Sequence, residues 1–261
     1  MLAKERHAII MDIMKRTKVI KITDIVRQFD VSNETARRDL EALQDQKLVK
    51  RVYGGAVLAS PAVFEPQYAL RESESHNEKA AIGKAAAAMI SEGESVILDI
   101  GTTMLEVARN LKGMNNLTVL TNSLPILNEL ATTNVTLYAL GGLLNSDELT
   151  MSGNLTINAL QNFFVDKAFI GAGGVTMTGG VSGYNNEWMM VTRVILERAS
   201  EVVLVADSGK FGSNSFSIVC PLDAVDTIVS DSNLPAEYAA SIRERKINLV
   251  LVEPEEEPQP L

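Results

Sequence analysis

Val96-Ile97-Leu98-Asp99-Ile100-Gly101-Thr102-Thr103-Met104-Leu105 is a short apolar strand that passes through a glycine turn into a helix. The helical spacing continues to Leu111, with Met104, Leu105, Ala108 and Leu111 on one face. Downstream the alternation repeats. Apolar runs at 95–100, 117–120, 135–140, 167–170, 202–206, 227–229 and 247–252 are separated by helical patterns at 103–111, 124–131, 157–163, 187–199 and 235–245. Short apolar strands alternating with helices predict a mostly parallel sheet with helices on both faces. An Ala-rich helix over 79–90 leads into it.

Upstream the pattern is different. Leu2, Arg6 through its stem, Ile9, Ile10, Ile13 and Met14 recur at helical steps, and Lys15, Arg16 and Lys18 gather at the end of that helix. Thr23 is expected to cap a short second helix with Ile22, Ile25, Val26 and Phe29 inward, followed by a tight turn at Asp30-Val31. Ser32 caps a third helix that buries Ala36, Leu40 and Leu43. Strands at 48–52 and 56–58 flank Tyr53-Gly54-Gly55 as a hairpin. The expected fold class is α/β: an N-terminal winged helix-turn-helix over 1–58 and a mostly parallel α/β sensor domain over 78–252. Residues 59–77, with two prolines and no periodicity, read as a linker, and 253–261 as a disordered acidic tail.

Charge follows this division. The chain has 261 residues and a net charge of −9, but residues 1–58 hold 12 Lys/Arg against 8 Asp/Glu, leaving 12 against 25, or −13, for the rest. Only the first segment has the field that a DNA backbone requires. No apolar stretch is long enough to span a bilayer and no secretory signal opens the chain, so a cytoplasmic protein is expected. Cys220, the single cysteine, reads as a buried apolar residue, and the sequence calls for no metal and no cofactor.

Two sets of candidate residues result. At the first end, Ser32, Asn33, Thr35, Arg37 and Arg38 lie on the entry turns of the third helix, where polar and basic side chains reach base edges and phosphates of double-stranded operator DNA. Arg51 and Tyr53 of the hairpin would lie along the backbone or minor groove. At the second end, turns after successive strands offer backbone amides, hydroxyls and one cation to an anion. These are Asp99, Gly101, Thr102 and Thr103; Thr121 and Asn122; Gly141 and Gly142; Gly171 and Gly173; and Asp207 and Lys210. Each turn taken alone is equally ordinary turn chemistry.

The runs Arg6…Ile10…Met14, Ser32 to Leu40 and Arg51-Val52-Tyr53-Gly54-Gly55-Ala56 resemble the DNA-binding signature of the deoxyribose-operon repressor (DeoR) family. The series Leu98-Asp99-Ile100-Gly101-Thr102-Thr103, Leu120-Thr121-Asn122-Ser123, Gly141-Gly142, Phe169-Ile170-Gly171-Ala172 and Ala206-Asp207-Ser208-Gly209-Lys210-Phe211 resembles its sensor. The resemblance implies a sensor fold similar to ribose-5-phosphate isomerase, a phosphorylated sugar effector and repression of a sugar operon. It also implies that Ser32, Thr35, Arg37 and Arg38 belong to the recognition helix, with Asp39 as partner of a nearby arginine. Ile100 stands where the family often has serine, and Thr176 where an aspartate often follows Gly-Gly-Val. The alternative is a sugar-phosphate isomerase with Asp99 or Asp207 as base. A regulator would act as a homodimer or homotetramer, with the helix at 187–199 and its Trp188, Met189, Met190, Val194 and Ile195 as a candidate interface, although most of these side chains suit a core better.

Overall fold

A computed structural model describes residues 2–17, 19–46, 48–52, 54–58 and 68–254. They form two compact units that part between Gln67 and Tyr68. The first runs α1 (Ala3–Thr17), β1 (Val19–Lys21), α2 (Ile22–Phe29), α3 (Asn33–Asp45), β2 (Val49–Val52) and β3 (Gly55–Leu58). Ile10, Met14, Ile25, Ala36, Leu40 and Leu43 are buried in its core, as their spacing requires. Strand β1 is an addition: three residues were too few to signal it, yet it pairs antiparallel with β3, which lies between β1 and β2. This changes one cap. Because β1 runs straight into α2, Lys21 holds the N-cap position with no side-chain cap, and Thr23 is exposed within the helix.

The second unit runs α4 (Tyr68–Ser73), α5 (His76–Ala87), β4 (Ser95–Leu98), α6 (Thr102–Arg109), β5 (Thr118–Thr121), α7 (Leu124–Leu130), β6 (Thr136–Ala139), β7 (Leu143–Asn145), β8 (Thr150–Ser152), α8 (Asn154–Leu160), β9 (Val165–Ile170), β10 (Gly174–Thr176), β11 (Gly180–Gly183), α9 (Asn186–Leu196), β12 (Ala199–Val205), β13 (Ser217–Cys220), β14 (Thr227–Asp231), α10 (Ala236–Glu244) and β15 (Asn248–Val252). The seven expected strands form one sheet in the order β15-β14-β12-β9-β4-β5-β6, with every pairing parallel. Alternate strand residues separate two cores. Ile97, Leu120, Ala168 and Leu204 face one, which includes Trp188, Met189 and Ile195 of α9; Val96, Leu98, Phe169 and Val203 face the other, with α5, α6 and α7. The small sheets β7-β8 and β10-β11-β13 were not foreseen, being antiparallel pieces of three or four residues.

The linker expected to reach residue 77 is corrected. Residues 68–73 are α4, and α5 begins at His76, so the second unit starts at Tyr68. Helix α4 has too few residues to show periodicity; buried Tyr68 and the buried ion pair between Arg71 and Glu148 hold it in place. Residues 59–67, Lys18, Tyr53, the side chains of Lys15 and Arg16, and tail residues 255–261 lie outside the described residues.

The approach of α5 to α6 depends on Gly83. A Cβ there would meet the Cβ of Glu106 at 2.5 Å and its carbonyl carbon at 2.6 Å. Overpacking of this kind costs about 1–3 kcal/mol, so Gly83→Val is expected to lower the unfolding free energy of the second unit by that amount in urea denaturation.

Candidate functional site

In the first unit, the turn between α2 and α3 is closed by Asp30, whose φ of 49° is left-handed and whose backbone N–H caps α2. Ser32 then caps α3: its Oγ accepts from the Thr35 N–H at 3.1 Å and lies 2.9 Å from the Thr35 hydroxyl. These two side chains therefore hold the entry turn in shape. Asn33, Arg37 and Arg38 are exposed, and Arg38 is shared with Glu34 across one helical turn at 3.5 Å. Among the described residues Arg37 has no ion-pair partner. Arg51 is exposed on β2, 3.6 Å from Glu41 of α3.

The inner face of α3 is anchored by charge. Asp39 is 4% exposed and accepts from Arg6 Nε at 2.6 Å and Nη2 at 2.9 Å, with His7 Nε2 at 3.0 Å. Burial opposes ionisation of Asp39, but the Arg6 and His7 contacts outweigh it and hold the carboxyl below its ordinary range.

In the second unit the connections leave β4 toward β5 and leave β9 toward β12, on opposite sides, so the strand order reverses between them. Ligands of open α/β sheets bind in the crevice at the carboxyl ends beside such a reversal. Gly101 enters α6 there with φ of 124°, and no side chain caps that helix. Its first-turn amides, in buried Thr102 and half-buried Thr103, are left for another acceptor. Asp99 is fully buried: Oδ2 accepts from the Thr192 hydroxyl at 2.8 Å, while Oδ1 has no partner among the described residues. Burial pushes its carboxyl up to about 6, with the Thr192 hydrogen bond opposing the shift. Gly171, across the reversal, would bring a Cβ within 3.3 Å of the Ile100 carbonyl oxygen.

The other turns divide between lining and bracing. Thr121 is wholly buried, with its hydroxyl accepting from Ser123 N–H at 3.1 Å, so it holds its own turn. Asn122 donates to the Met151 carbonyl at 2.9 Å and the Thr150 hydroxyl at 3.3 Å, binding β8 to β5, and leaves its Oδ1 buried and unpartnered among the described residues. The Gly141 carbonyl accepts from Thr156, and Gly142 packs so closely that a Cβ would strike the Thr156 hydroxyl. Gly173 donates to Ser182 at 2.8 Å and lies against the Tyr184 ring. Asp207 accepts from Gly209 N–H at 3.1 Å, shaping the turn that presents Lys210, whose ammonium has no hydrogen-bond or ion-pair partner among the described residues. Thr176 closes the β10–β11 hairpin by accepting from the Gly179 N–H at 2.9 Å and donates to Asn214 at 2.7 Å, and Ile100 packs on the core.

Family models match both units: a DeoR-like helix-turn-helix domain over residues 6–62 and a DeoR C-terminal sensor domain over 74–232. The chain belongs to the DeoR family. The HTH-type transcriptional repressor GlcR of Bacillus subtilis is 33% identical over 98% of this chain and 99% of its own length. The glycerol-3-phosphate regulon repressor of Escherichia coli is 30% identical over 95% of this chain and 98% of its own. Among solved structures, ribose 5-phosphate isomerase A of Methanocaldococcus jannaschii matches at a TM-score of 0.39 and 18% identity, over 51% of this chain and 53% of that one. DeoR-family chains are DNA-binding transcriptional regulators, which sets aside the isomerase alternative.

Sequence reading missed one feature of this DeoR sensor. Lys79 of α5 is 4% exposed, and its ammonium donates to the carbonyls of Arg71 and, at 2.6 Å, Glu74. Burial lowers it to about 8, opposed by the charge of Asp207 and reinforced by that of Lys210. Lys79 thus senses the charges of both Lys210 and Asp207. A signal was available: Lys79, Ile82, Gly83 and Ala86 share one buried stripe, where a lysine is out of place.

Both buried carboxylates give measurable consequences. Asp39→Ala removes the buried carboxylate that Arg6 and His7 contact and is expected to destabilise the first unit by about 3 kcal/mol in chemical denaturation. Because the folded value of Asp39 is depressed, its stabilising share is complete above about pH 4 and is lost as pH falls through the folded value. Asp99 has the opposite sign: its folded value lies above that of the unfolded chain, so stability declines as pH rises from about 4 to 6. Asp99→Asn is expected to be about 2–3 kcal/mol more stable than the parent at pH 8 and no more stable at pH 4. Equal stabilities at both pH values would show that the carboxylate is not desolvated.

Proposed function

We propose that this chain represses a sugar-utilisation operon and that a phosphorylated sugar, bound in the crevice between β4 and β9, sets its grip on operator DNA. The observation that carries the reading is Asp99 Oδ1, a buried acceptor with no hydrogen-bond donor among the described residues, beside an uncapped helix N-terminus. Leaving such a group unsatisfied costs about 1–3 kcal/mol, and a ligand hydroxyl removes that cost.

In this reading the phosphate sits on the Gly101, Thr102 and Thr103 amides and hydroxyls, with Lys210 and Lys79 as countercharges. Asp99 and Asn122 accept from sugar hydroxyls, while Gly141 leaves its wall open and Gly142, Gly171 and Gly173 let neighbouring segments close in around the site. Thr121 and Asp207 brace the turns. On the DNA side Asn33, Arg37 and Arg38 reach base edges or phosphates, Arg51 and Tyr53 follow the backbone, and Ser32 and Thr35 order the helix entry. The names of the two repressors described above support the operon class. Two or four chains in the cytoplasm would present paired heads to repeated half-sites, because ligand control requires a difference in affinity between arrangements.

A thermal-shift screen with phosphosugars tests the sensor, since a ligand at about one hundred times its Kd adds about 2.7 kcal/mol. Arg37→Ala with Arg38→Ala is expected to abolish specific operator binding and keep that shift. Lys210→Ala is expected to bind operator and lose the response; a normal response from that variant overturns the phosphate assignment.

A further inference from the structure

Between Glu129 and Asp166 the chain carries two charged residues, Asp147 and Glu148, and Glu148 is buried in its pair with Arg71. The uncharged stretches on either side build one flank of the second unit. Strand β6 ends the seven-stranded sheet, paired with β5 on one side and with no strand on the other among the described residues. The Thr156 hydroxyl donates to the Gly141 carbonyl at 2.7 Å, fixing α8 beside the exit of β6. Tyr138 of β6 meets Phe163, just past α8, with ring centroids 5.1 Å apart. Leu143 and Leu155 are each 72% exposed on this flank, Leu144 49% and Tyr138 44%.

Edge strands of isolated domains are guarded by lysines, prolines or bulges. Neither lysine nor proline occurs between residues 130 and 165. An exposed apolar flank without those guards marks a contact surface. Charge selects what covers it. Residues 59–261 carry 12 Lys/Arg against 25 Asp/Glu, so two copies of this unit repel over most of their surface. They meet with least repulsion on this flank, where Asp147 is the one exposed charge between residues 130 and 165. Nucleic acid or an anionic membrane would require cations here, and a basic protein would require carboxylates.

We propose that β6, β7 and α8 form the face on which a second copy of this chain docks, as a self-complementary two-fold contact. This rests on the reading that several chains share an operator, and it says where they meet. In light scattering of the full-length protein, wild type is expected at two or more times its 28.3 kDa chain mass. Leu143→Glu with Leu155→Glu is expected at the single-chain mass, with native circular dichroism, an unchanged phosphosugar shift and operator affinity at least tenfold lower. Should that variant misfold, Leu143→Cys replaces it: Cys220 is buried, so a bis-maleimide spanning the flank is expected to link two chains through the new thiol. An unchanged mass in the folded glutamate variant, or no cross-link from Leu143→Cys, overturns this face and leaves the several-chain reading standing. Wild type that remains a single chain when saturated with operator overturns both.

Discussion

Strand order reverses between β4 and β9, whose connections leave toward opposite sides of the sheet. Parallel strands aim their carboxyl ends at one rim, and a reversal is where such a sheet offers a crevice along it. Asp99, Gly101 and Gly171 stand there because they end or follow the two strands that flank it. The fully buried carboxylate is the cost of the arrangement. Its raised value records a group whose solvation the folded protein replaces incompletely.

The first unit solves a different problem. A helix that must present Asn33, Arg37 and Arg38 outward has few apolar residues left for its inner face, which here are Ala36, Leu40 and Leu43. Asp39 adds a directional contact, since the paired nitrogens of Arg6 accept only a narrow range of orientations. Apolar packing alone would tolerate small rotations of α3. The ion pair is suited to fixing which side chains face out.

Long apolar runs made the seven strands legible, and the polar turns after them could be named in advance because chain order alone carries them to one rim. Features held by contacts remote in sequence were hidden. Helix α4 depends on a pair 77 residues apart, and β1 on a partner strand rather than on its own three residues. Roles within a turn were also illegible: Thr121 and Asn122 both offer hydrogen-bonding groups, and only the approach of β8 shows that one closes the turn while the other keeps a bare oxygen. Lys79 was masked by the alanines around it.

An ammonium has three protons, and two of those on Lys79 are committed to the carbonyls at the end of α4. An incoming anion can draw at most one donor from it without loosening that helix. Recognition by Lys79 is therefore stoichiometrically limited. A phosphate bound nearby would have to take its remaining donors from the turn at residues 101–103 and from Lys210, so the anchoring of α4 caps what Lys79 alone can contribute.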